Sequence, residues 1–255
     1  MRVHVVSDVH GRADALAHAK DGADAVFCLG DLLNFVDYHD SRLGIFAELF
    51  GPANAEHLIA LRTAKRFDEA RTFSRGLWGS LDGDPKEHID RMVRRQYDEL
   101  FGALPTPAYC TYGNVDVPGL WAEYVREGQT VLDGETVELD GWTFGFVGGG
   151  LPSPYRTPNE VDEDVYAAKI AAVAGADVIC THIPPAVPDL LYDVVARRFE
   201  RGSEVLLETI RREKPRYVLF GHVHQPLVRR MRIGVTECLN VGHFRASGVP
   251  HRLVW

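Results

Sequence analysis

The sequence predicts an α/β fold, and three observations predict it. Short apolar runs of strand length alternate with helix-length segments. The opening strand–helix–strand order implies parallel pairing through a right-handed crossover. Five of the runs stop at a turn that carries Asp, Asn or His, the position where open α/β sheets bind their ligands. The 255 residues suffice for a single large domain spanning 1–255, with a helical insert at about 35–104.

The first run, Val3 to Val6, reads as a buried strand. It delivers Asp8 and His10, and Gly11 then allows a sharp turn. Residues 12–20 form a short helix with Ala15, Leu16 and Ala19 facing the sheet. Ala25 to Leu29 is the second strand and ends at Gly30-Asp31-Leu32-Leu33-Asn34. Within 35–104 the apolar spacing turns helical, over 41–50, 54–78 and 86–101. Arg62, Lys65, Arg66, Arg71, Arg75, Arg91, Arg94 and Arg95 lie here among acids. A solvated surface is the plain reading of that mixture; a substrate-facing or dimer-forming cap is the sharper one.

Strand character returns at 107–112 and runs into Gly113-Asn114-Val115-Asp116. Short strands follow at 130–132, 135–139 and 142–147, with Asp140-Gly141 as a hairpin turn. A glycine-rich loop, 148–154, leads to a helix over 160–174 whose early acids suit the helix dipole. Strand 177–180 ends at Thr181-His182, and strand 217–220 at Gly221-His222-Val223-His224. Between them a helix over 203–213 takes Ser203 as its N-cap. Residues 227–241 and 251–255 read as antiparallel strands.

Composition excludes several classes. The formal charge of −8 argues against a broad nucleic-acid or membrane surface. No apolar run approaches the ~18 residues of a membrane span, and no leader pattern opens the chain. Cys28, Cys110, Cys180 and Cys238 lack CxxC spacing and sit in apolar runs, so they read as buried free thiols of a reducing compartment, the cytoplasm.

The strand ends together supply Asp8, His10, Asp31, Asn114, His182, His222 and His224. Each type alone has an ordinary structural explanation. Five strand ends with the same construction point instead to a metal centre. Mixed carboxylate, amide and imidazole ligands suit Mn, Fe, Zn, Co or Ni, and seven of them suit two ions rather than one.

The ordered set SDVHG (7–11), GDLLN (30–34), GNVD (113–116), THIPP (181–185) and GHVH (221–224) resembles the calcineurin-like metallophosphoesterase superfamily. The stretch 148–160 is similar to its Icc-like group. The resemblance implies a four-layer αββα sandwich of two mixed β-sheets flanked by helices. It implies two divalent ions, Mn²⁺ foremost, one held by Asp8, His10 and His224 and the other by Asn114, His182 and His222, with Asp31 bridging. The implied reaction is in-line attack of a bridging hydroxide on a small phosphoester, a diester before a monoester.

One position departs from that family. Its third motif usually carries His after Asn, a candidate general acid, where this chain has Val115. Asp116 is retained to orient a neighbour. His243, and after it His39, are the candidates to replace the missing acid, and Asn34 is a candidate substrate contact. An inactive metal-binding scaffold and a nuclease are the alternatives. All seven ligands are present, which disfavours the first, and the acidic balance disfavours the second. A homodimer through the insert is a further expectation.

Overall fold

The structure is a computed structural model that describes residues 1–255. Parallel strands buried on both faces organise it. β1 (Arg2–Val6), β2 (Ala25–Cys28), β3 (Ala108–Cys110) and β4 (Gln129–Val131) lie side by side and parallel. A second sheet contains β5 (Glu135–Leu139), β6 (Trp142–Val147) and β7 (Val178–Thr181). A small ribbon of β8 (Tyr192–Asp193) and β9 (Arg198–Phe199) stands apart from both sheets. The second sheet is completed by β10 (Tyr217–Phe220), β11 (Arg230–Ile233) and β12 (Thr236–Asn240), in the order β11-β12-β10-β7-β6-β5. The last strand, β13 (His251–Val254), crosses back to the first sheet and pairs antiparallel with β1. Both sheets are therefore mixed, and helices cover their outer faces.

The pleat sorts side chains between layers. Val3, Val5, Phe27 and Leu29 from the first sheet meet Phe144, Phe146, Val178 and Leu219 from the second in a fully buried core between the sheets. The alternate positions Val6, Val26 and Cys28 turn outward. They pack under Leu16 of α1 (Ala13–Leu16) and under Met92, Val93 and Tyr97 of a long insert helix. Behind the second sheet, Tyr166, Ile170, Leu206 and Ile210 supply the other outer core.

The insert comprises α2 (Ile45–Phe50), α3 (Pro52–Thr63), α4 (Phe67–Trp78) and α5 (Pro85–Ala103), with a core of its own around Phe46, Leu58 and Leu61. The helix expected over 54–78 is two helices, because Lys65 adopts a left-handed φ of 58° and ends α3. The helix expected over 12–20 keeps only four residues before dissolving into turns. Short α6 (Pro118–Trp121) follows the third motif. α7 (Glu163–Ala172), α8 (Pro188–Leu191) and α9 (Glu204–Glu213) precede the last strands, and α10 (Phe244–Ser247) follows β12. Ser203 caps α9 as expected, its Oγ accepting from the Leu206 N–H at 3.0 Å. Of the segments read as antiparallel, β12 pairs antiparallel with β11 but parallel with β10. The four cysteines are free and buried. No helix is long and apolar enough to cross a membrane.

Candidate metal centre

Parallel pairing brings the carboxyl ends of β1, β2, β3, β7 and β10 to one rim of the two sheets. The residue types that follow those strands are collected there. Asp8, Asp31 and His182 are buried, and His10, Asn114, His222 and His224 are partly exposed. The backbone at this rim is unusual. Asp8, His10, Asp31 and His222 all have positive φ, between 41° and 67°. Such conformations cost on the order of 1–3 kcal/mol each in a non-glycine residue and persist only where the surroundings hold them.

Close packing supplies that hold. A Cβ added to Gly113 would collide with the Asp31 carboxylate, and one added to Gly221 would collide with Ser7 and Asp8. The glycines before Asn114 and His222 are thus a spacing requirement between neighbouring loops. Asp116, fully buried, takes three main-chain donors: the N–H groups of Asp31 at 2.9 Å, Leu32 at 3.0 Å and Gly113 at 2.7 Å. It does not line the cavity; it positions Asp31 by tying the second motif to the third.

The ligand geometry is tight. His182 Nε2 and His222 Nδ1 each lie 2.9 Å from Asn114 Oδ1. His10 Nε2 lies 3.2 Å from His224 Nε2. Asp31 Oδ2 sits between the two groups, 3.5 Å from His182 Nε2 and 3.8 Å from His10 Nε2. Asp8 Oδ1 is 3.5 Å from His224 Nε2. The Nδ1–H groups of His10 and His182 donate to the carbonyls of Leu33 and Leu29, each at 2.8 Å. Those bonds turn the Nε2 lone pairs into the centre, the tautomer that metal-binding imidazoles adopt.

His10 Nε2, its lone pair aimed inward, faces His224 Nε2, and His182 Nε2 faces an amide oxygen. Each contact is repulsive unless a proton or a metal cation stands between the two atoms. Protons show the same demand. Burial opposes charge on His182, yet the Asp31 carboxylate raises its pKa to about 9. Burial likewise opposes charge on Asp31, but His182 brings it down to about 2. Asp8 falls well below the carboxylate range because His224 outweighs burial. Asp116 moves the other way, pushed up to about 7 by burial and by the charge of Asp31. The donors fit divalent metal; Asp8, His10 and Asp31 form one close triad and His10, His224 and His243 another.

The remaining candidates fall around this centre. Val115 lines the cavity and binds Asp31 through its main chain, the N–H donating to Oδ1 at 2.9 Å. His243 is buried and stacked on His224, with ring centroids 3.9 Å apart and both ring nitrogens unpartnered. Burial and the charge of His224 lower its pKa to about 2, so it is a neutral imidazole. His39 is exposed, its ring centroid 5.0 Å from that of His243 and 6.2 Å from that of His224. Asn34 is turned inward, its Nδ2 donating to Asp37 at 3.2 Å. The composition gave no sign of Arg245. It forms an ion pair with the buried carboxylate of Asp37 and donates to the His10 carbonyl at 2.8 Å, fastening the insert's entrance to the first motif.

A cavity of about 520 Å³ opens onto the centre. One wall is the 148–160 loop, which also supports Asn114: its Nδ2 donates to Thr157 Oγ1 at 3.1 Å. A second wall is α3 with the segment before it, and a third is the β8–β9 ribbon. The ribbon left no trace in the hydrophobic pattern, because its strands have two residues each.

The family model described as calcineurin-like phosphoesterase matches residues 1–226. Among solved structures, one superposes with a TM-score of 0.61 at 14% identity, covering 95% of this chain and 91% of its own. The TT1561 protein of Thermus thermophilus superposes with a TM-score of 0.56 at 14% identity, covering 99% of this chain and 97% of its own. At that identity these two likenesses concern the fold. No curated protein matches the sequence.

Proposed function

This chain belongs to the calcineurin-like phosphoesterase family, and from that premise we propose that it is a dinuclear-metal hydrolase that cleaves a phosphodiester in preference to a monoester. The observation that carries the reading is the convergence of imidazole nitrogens on two buried carboxylates at a single sheet rim. Asp8, His10 and His224 would hold one ion and Asn114, His182 and His222 the other, with Asp31 shared. Manganese is the ion we favour for this oxygen-and-nitrogen set. Two divalent ions so held supply a water of lowered pKa and positive charge for the phosphoryl oxygens.

The protein's own residues do the rest. The Leu33 and Leu29 carbonyls fix two imidazoles, and Asp116 fixes the loop of Asp31. Arg245 holds the His10 main chain. His243 lines the cavity beside His224 with both ring nitrogens unpartnered, and as a neutral imidazole it would have one N–H to offer a leaving oxygen in place of the family's usual third-motif histidine. Substrates whose leaving groups need little protonation are favoured accordingly. Leu33, Phe35, Val36, Ile59 and Leu151 give the cavity apolar walls and room for substituents on both sides of the phosphorus, which supports the diester.

The test is hydrolysis of bis-p-nitrophenyl phosphate beside p-nitrophenyl phosphate, with Mn²⁺ and with chelator. Manganese-dependent turnover of the diester, abolished by chelator, is expected. Turnover of the monoester alone moves the reading to a phosphatase, and turnover of neither across several metals overturns it.

A further inference from the structure

The cavity is far larger than a phosphoryl group needs, and its charges are unevenly matched. Several of its acids are already committed. Asp37 pairs with Arg245, and Glu200 pairs with Arg198 at 2.5 Å. Glu160 accepts from the main chain of Ser153 and Thr157 and from both hydroxyls. Asp193 accepts from the N–H groups of Val195, Ala196 and Gln225. Arg201 donates to the Pro152 carbonyl. Three guanidinium groups that line the same cavity, Arg62, Arg156 and Arg201, have no carboxylate partner, and of these Arg62 and Arg156 also make no bond to a main-chain carbonyl.

Arg62 is nonetheless held in place. Its Nη1 donates to the Tyr38 hydroxyl at 3.0 Å, and its guanidinium lies 5.8 Å from the ring centre of Tyr155. Arg198 lies 4.8 Å from that same ring, and Phe67 meets it edge-on at 5.3 Å. Tyr155 therefore joins all three walls: α3 with the start of α4, the 148–160 loop, and the β8–β9 ribbon. Its hydroxyl is buried and has no hydrogen-bond partner. A planar cation held in place with one donor engaged and the others free is suited to phosphate or carboxylate.

We propose that the end of the cavity around Tyr155 is a second anion site, built on Arg62 and Arg156, so that the natural substrate is a phosphoester carrying a further phosphate or carboxylate remote from the bond that is cleaved. This rests on the phosphoesterase reading for the other end of the cavity. It also gives the insert a role, because α3 supplies the cation that measures the substrate's length.

The test is binding as well as rate, so the two readings can fail separately. The probes are α,ω-alkylene bisphosphonates of increasing length, the matched alkyl monophosphonates, and ω-carboxyalkyl phosphonates. Each is titrated calorimetrically into the Mn²⁺-loaded protein. One bisphosphonate or carboxyphosphonate length should bind about tenfold or more tighter than its monophosphonate, equivalent to about 1.4 kcal/mol; which series wins identifies the second group. Arg62→Met and Arg62→Met/Arg156→Met should each reduce that advantage, the double variant to within about twofold, while Arg91→Met, on an exposed helix position outside the cavity, should retain it. Thermal melting confirms that the variants fold. A protein without any length-dependent advantage, or an advantage that survives in the double variant, overturns the second site. Loss of all turnover with the binding advantage intact would overturn the phosphoesterase reading alone.

Discussion

Replacing Asp116 by Asn isolates the joint between the second and third motifs. The carboxylate accepts three buried N–H groups, two on Oδ2 and one on Oδ1. An amide of the same shape has one oxygen. Placed where Oδ2 lies, it keeps Asp31 and Gly113 but points its NH₂ at the Leu32 N–H. The cost is one hydrogen bond, with the Leu32 N–H and the new NH₂ left facing each other unpaired, at least about 1–3 kcal/mol. For a chain of this size that lowers the melting temperature by roughly 2–12 °C. The lost bond is at Leu32, the residue after Asp31, so the loop that carries Asp31 loosens and affinity for metal should fall about 10–100-fold, the range seen when groups that orient metal ligands are removed. Melting followed by circular dichroism and Mn²⁺ titration by calorimetry measure the two effects. An unchanged melting temperature together with unchanged Mn²⁺ affinity would refute the positioning role of Asp116.

Three further outcomes follow from the same geometry. Asp31→Asn and His182→Ala should each abolish turnover with the fold retained, and inductively coupled plasma analysis should find less than the full metal complement; an active, metal-replete His182→Ala protein contradicts the ligand assignment. Gly113→Ala should abolish metal binding more severely than its size suggests, because the new methyl occupies the space of the Asp31 carboxylate; a Gly113→Ala protein with ordinary Mn²⁺ affinity would show that the two loops are not in contact. Asp37→Ala leaves the partly buried Arg245 without its carboxylate and should cost about 1–3 kcal/mol in urea unfolding. Burial opposes ionisation of Asp37, but the His39 N–H and Arg245 hold its pKa below the usual range. Its contribution is therefore complete above the ordinary carboxylate pKa and lost as pH falls through the depressed one; the stability gap between wild type and Asp37→Ala should narrow on acidification, and a constant gap would contradict the ion pair.

Much of the site could be read in the chain because each ligand lies within a few residues of an apolar run. That register is local: a strand, a glycine, a metal-binding side chain. What escaped was set by contacts between distant segments. Nothing near Lys65 marks the break between α3 and α4 as strongly as a proline or glycine would. β13 resembles any late edge strand, and only packing places it beside β1 instead of in the neighbouring sheet. Arg245 and Asp37 meet across most of the chain's length. Tyr155 gathers its arginines from an insert helix and a two-residue strand, neither of which carries a recognisable spacing.

The placement of β13 has a consequence for how the protein is made. β1, which carries Asp8 and His10, is made well before its antiparallel neighbour β13. His222 and His224 also come long after the first motif. Until they are made, the first motif has an open strand edge and lacks the imidazoles that face it. A metal centre built on these residues would be completed only once the GHVH segment has been made and folded, so metal would act on the late steps of folding and not on the early ones.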